Sequence, residues 1–101
     1  VARLIYSEQA VDDLERLTDL LLESDPVAAA ATIDLIEEAV AILRRHPLIG
    51  RSVEAGLREL VISRGRSGYL ALYSYEPAVE IVFVLAVHHQ REAGYSAPEA
   101  E

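Results

Sequence analysis

Within eight residues near its C-terminal end the chain gathers His88, His89, Gln90, Arg91, Glu92 and Tyr95. Imidazoles at this spacing can move protons, a guanidinium can hold an oxyanion, and a phenol can donate to a leaving oxygen. The cluster follows directly on the apolar run Ile81–Val87, which reads as a buried strand, so a rigid element carries it. Successive strand residues point to opposite faces, and only one of His88 and His89 can therefore serve a given site. No second pair of ligands stands at metal-binding spacing, so no metal is expected. The chain has no cysteine, which removes thiolate chemistry, and no feature of it calls for a cofactor.

The charge balance narrows the choice of partner. The net charge is −8, which argues against general attraction to nucleic acid phosphates. Every basic residue is arginine, and the charge is uneven: residues 1–50 carry ten acids against four arginines, and residues 51–95 carry five of each. Arg58, Arg64, Arg66 and Arg91 are thus candidates for carboxylate partners. No apolar run approaches membrane-span length and no secretory segment opens the chain, so the expectation is one cytoplasmic domain over residues 1–101 with no membrane partner.

The elements that position the cluster follow from periodicity. Arg3–Tyr6 reads as a first strand, and Ser7 stands where a helix N-cap belongs. Ala10, Leu14, Leu17 and Leu21 then form one apolar face, with Asp12, Asp13, Glu15, Arg16 and Asp19 assigned to the others. Asp25-Pro26 opens a second helix, whose stripe runs through Ala29, Ile33, Ile36, Val40 and Leu43 and stops before Pro47. The two helices form an antiparallel hairpin. Three strands follow, at Leu57–Ser63, Tyr69–Tyr75 and Val79–Val87, separated by turns at 64–68 and 76–78. The fold class is α+β in the order β-α-α-β-β-β, an antiparallel sheet with the helical hairpin on one face. Tyr69, Tyr73 and Tyr75 share a strand face and read as a packed or interface row.

In this order and spacing, several short motifs resemble the RelE/ParE superfamily of type II toxin–antitoxin toxins. They are Tyr6-Ser7, Asp25-Pro26, His46-Pro47-Leu48-Ile49-Gly50-Arg51, Leu57-Arg58-Glu59-Leu60, Ser67-Gly68-Tyr69 through Tyr73, and His89-Gln90-Arg91-Glu92 to Tyr95. The resemblance implies a toxin that arrests growth, often tied to plasmid stabilisation, paired as a hetero-oligomer with a cognate antitoxin. RelE-like members cut messenger RNA on the ribosome; known ParE-like members poison DNA gyrase. Cleavage would use Arg91, Tyr95 and His89 with Arg58. Where the RelE-like pattern places an arginine after the strand tyrosine this chain has Leu70, and the lysines typical of the preceding strand are missing, with Arg58, Arg64 and Arg66 nearby in sequence. The favoured expectation is therefore ParE-like, with no catalytic residues. Arg58, Arg64, Arg66, Tyr73, His89, Arg91 and Tyr95 would contact target or antitoxin. A RelE-like RNA-cutting toxin and a non-toxic binding module of the same fold are the alternatives.

Overall fold

In the computed structural model, residues 1–64 and 67–91 are described, Arg64 and Ser67 by their backbone only. The elements run β1 (Arg3–Tyr6), α1 (Glu8–Ser24), α2 (Pro26–Ala41), β2 (Arg51–Ser52), β3 (Arg58–Arg64), β4 (Ser67–Glu76) and β5 (Ile81–His89). Single 3₁₀ turns at Ile42–Arg44 and Glu54–Gly56 flank β2. The five strands form one sheet in the order β1-β5-β4-β3-β2.

Local chemistry explains the helix ends. The Ser7 hydroxyl accepts the Ala10 amide at 3.0 Å and donates to the Leu85 carbonyl, fixing the start of α1 to β5. Asp25 serves both helices at once. Its amide donates to Leu21 O and closes α1, while its carboxylate accepts the Ala28 amide and opens α2 ahead of Pro26. A one-residue joint of this kind forces the hairpin to be antiparallel. The inner stripes, with Ala10, Leu17, Ala29, Ile36, Val40 and Leu43 buried, pack onto one face of the sheet. There they meet Ile62, Tyr69, Ala71, Tyr73, Val82, Val84 and Val87. Complete burial of each aliphatic chain here contributes about 1.5–3 kcal/mol.

The sheet is mixed. β3, β4 and β5 form the antiparallel meander, and β1 lies parallel to β5, with Arg3 opposite Ile81 and Tyr6 opposite Val84. The last strand also runs further than its apolar stretch suggests. Leu70 and Tyr69 of β4 keep pairing with His88 and His89, so both histidines are strand residues. It starts later than expected, at Ile81, because residues 77–80 make the turn, with Glu80 in the left-handed region at φ 52°. β2, a two-residue strand opposite Arg58 and Glu59, is too short to announce itself by alternation. No helix among the described residues is long and apolar enough to cross a membrane.

Candidate functional site

Two side-chain clusters stand at opposite ends of the meander. The first surrounds the end of β5. β1 stops at Tyr6, so β5 beyond Leu85 loses its parallel neighbour, and a bulge at that point shifts the register. An open strand edge would result, but α1 fills it with side chains. Asp13, on the helix face expected to be solvated, is 2% exposed, and its Oδ2 accepts the Val87 amide at 2.9 Å. Arg16 Nη2 reaches the Val87 carbonyl at 3.5 Å and Asp13 Oδ1 at 3.4 Å, and Gln9 Nε2 donates to the same oxygen at 2.8 Å. One helical turn thereby supplies the acceptor and donor that a neighbouring strand would have offered. The spacing contains the signal: Asp13 lies three residues after Ala10 and four before Leu17, on the buried stripe.

The histidines diverge, as strand alternation requires. His88 Nε2 lies 3.9 Å from Asp13 Oδ2. His89 packs edge-on against Tyr69 with ring centroids 5.1 Å apart, and its Nδ1 accepts the Arg91 amide at 2.9 Å. Arg91 is exposed in the turn that follows. Among the described residues no three His, Cys, Asp or Glu gather into a metal-binding group.

The second cluster locks the loop between α2 and β2. Tyr73 is fully buried on β4; its hydroxyl accepts the Gly50 amide at 2.9 Å and donates to the Pro47 carbonyl at 2.8 Å. Burial pushes the phenol pKa up, against smaller opposing effects of the Gly50 hydrogen bond and the Arg58 charge. Arg58 Nη1 donates to the carbonyls of Gly50 at 2.7 Å and Leu48 at 3.2 Å. Arg51 pairs through Nε and Nη2 with one oxygen of Glu59, which is 5% exposed. Glu59, unsuspected as a site residue, acquires that role only through the register of β2 on β3.

The predicted site residues that are described therefore fall into two groups rather than one. Arg58 stands opposite Tyr73, and His89 opposite Tyr69. The two are roughly 13 Å apart along the strands and about 10 Å across them. Tyr73 faces inward, in the row with Tyr69. Arg66 and Tyr95, and the side chain of Arg64, lie outside the described residues.

This geometry is that of a known group. A family model, the ParE toxin of type II toxin-antitoxin system, parDE, matches residues 4–94. The chain belongs to the ParE toxin family. Toxin RelE3 of Caulobacter vibrioides is 35% identical over 80 residues, covering 79% of this chain and 85% of that toxin. Among solved structures, the chromosomal ParDE TA system from P. aeruginosa superposes with a TM-score of 0.74 at 22% identity, covering 87% of this chain and 95% of the other. The intact E. coli RelBE toxin-antitoxin complex gives 0.65 at 15% identity, with 87% and 95% covered. This ParE-family chain is thus a type II toxin of the RelE/ParE superfamily, with the α+β fold of its members.

Outside both clusters, a groove of about 590 Å³ is formed by α1, α2 and the end of β1. Tyr6, Val11, Leu14 and Ile33 line it, and Glu15, Asp19 and Glu37 stand along its sides. Tyr6 is half-buried there, with its phenol pKa raised to about 12, chiefly by burial, then by the nearby Glu37 charge, with Arg44 opposing.

Proposed function

We propose that this chain arrests growth by binding a protein target, without cutting RNA, and that a cognate antitoxin holds it inactive. The observation that carries the reading is the separation of Arg58 from His89. In-line cleavage needs acid, base and cation around one phosphate. Here the Arg58 guanidinium is turned onto the Leu48 and Gly50 carbonyls at the other end of the strands from His89. Leu70 offers no charge where the RelE-like pattern has an arginine, and the chain's net charge of −8 repels a polyanion. Arg91, exposed beyond β5, is left to contact a carboxylate on a partner. Gyrase is the target that family analogy suggests.

The antitoxin reading is supported by the solved relatives, which are a ParDE TA system and a RelBE toxin-antitoxin complex. Sheet edges offer it little, since the edge strands β1 and β2 are the two shortest. The apolar groove on the helical hairpin is the larger opportunity, and its acidic sides favour an antitoxin segment with Arg or Lys flanking its apolar residues. The test is induced expression of the chain alone and together with the adjacent antitoxin reading frame. Growth arrest that the second frame relieves is the expected result. Unimpaired growth from the chain alone would leave the non-toxic binding module as the better account.

A further inference from the structure

Residues 46–51 form a loop tied down by several hydrogen bonds, and it holds two aliphatic side chains out in water. Leu48 and Ile49 are each 58% exposed. A single exposed leucine means nothing, because folded surfaces carry many. Here the backbone beneath the pair is fastened from several directions. Tyr73 binds Gly50 and Pro47, Arg58 binds Gly50 and Leu48, and the Ile49 amide donates to the His46 carbonyl at 3.1 Å. Gly50 has no room for a side chain, since a Cβ there would fall 2.7 Å from the Tyr73 ring and 2.8 Å from the Glu59 carbonyl.

The surroundings are as specific as the tip. No acidic residue occurs between Glu38 and Glu54, whereas Arg44, Arg45, His46 and Arg51 do. Counting in space, Arg58 joins them, Glu59 takes up Arg51, and Glu80 shares a recess with Arg44 and Arg45. Four arginines against three glutamates, Glu54 in the turn after β2 included, leave this end positive on a chain of net charge −8.

We infer that the Leu48–Ile49 knuckle is the target-binding anchor of this toxin, and that its partner is a protein surface with an apolar pocket rimmed by carboxylates. The inference rests on the protein-binding reading above and names the site that performs it. A pre-ordered apolar tip enters a pocket without the cost of freezing a loop. The basic surround steers it to an acidic rim and discourages other docking poses. Arg51 and Arg58 act as positioning residues, because their guanidinium groups are held by the protein itself.

The test compares the parent chain with the double variant Leu48→Asp, Ile49→Asp and the conservative pair Leu48→Met, Ile49→Val. Three readouts are taken: growth arrest against inducer dose, affinity for the purified antitoxin from the adjacent frame, and the thermal midpoint. Loss of a buried anchor pair weakens binding roughly thirtyfold, so the aspartate variant should lose arrest at doses that stop the parent's host. Antitoxin affinity and midpoint should hold, and the conservative pair should remain toxic. An aspartate variant as toxic as the parent overturns the inference, and so does one that loses antitoxin affinity in step with toxicity. Should that variant fail to fold, Arg45→Glu decides on the same readouts, since Arg45 is exposed. A parent that causes no arrest overturns the protein-binding reading, and this inference with it.

Discussion

The Gly50 amide points at the Tyr73 hydroxyl from 2.9 Å, and the space between them excludes even a methyl group. This contact joins the loop after the helical hairpin to the centre of the sheet, and it makes two substitutions informative. Gly50→Ala must move either the ring or the β3 backbone, and should cost about 2 kcal/mol as an overpacking change. Tyr73→Phe removes a partner from both Gly50 and Pro47 and should cost about 1–3 kcal/mol. Urea unfolding with an unchanged slope checks both values.

Asp13 should behave as a structural acceptor for β5. Asp13→Ala leaves the Val87 amide unsatisfied and should cost about 1–3 kcal/mol, whereas Asp13→Asn keeps an acceptor and should lose less. Amide exchange separates this from a general loss of stability. The Val87 amide should lose protection in Asp13→Ala well beyond the change seen in the β3–β4 pairs, and uniform loss across the sheet would contradict this role of Asp13.

Much of the fold was legible because its signals are local. Ser7, Asp25-Pro26 and the stripe from Ala29 to Leu43 each act within a turn or two of their own position. What escaped depends on residues far apart in the chain. Asp13 looks like a solvated acid until Val87, 74 residues later, is brought beside it. The parallel pairing of β1 and the two residues of β2 have no periodic signature either. At the candidate site, strand alternation was enough to separate His88 from His89. It could not show that Arg58 folds back onto Leu48 and Gly50, because a guanidinium's choice of acceptor depends on the loop that surrounds it.

Alkaline titration should show Tyr6 and Tyr73 as late-ionising phenols. Tyr6, at about 12, and Tyr73, also raised, should ionise later than an exposed phenol. A folded pKa above the unfolded value means that the stabilisation is complete below the ordinary tyrosine range. It is lost as pH rises through that range toward the folded value. Stability should therefore fall between about pH 10 and about 12. Tyr6→Phe should flatten that fall and remove one late step from the tyrosinate absorbance. A titration curve identical in parent and variant would contradict the assignment.

The central claim is that arrest comes from binding a protein and leaves RNA uncut. Mapping of transcript ends in cells after induction of the unneutralised chain tests this most directly. The account predicts growth arrest with transcript ends unchanged from uninduced cells, in the parent and in His89→Ala alike. New ends at codon boundaries that appear with the parent and vanish with His89→Ala would contradict it.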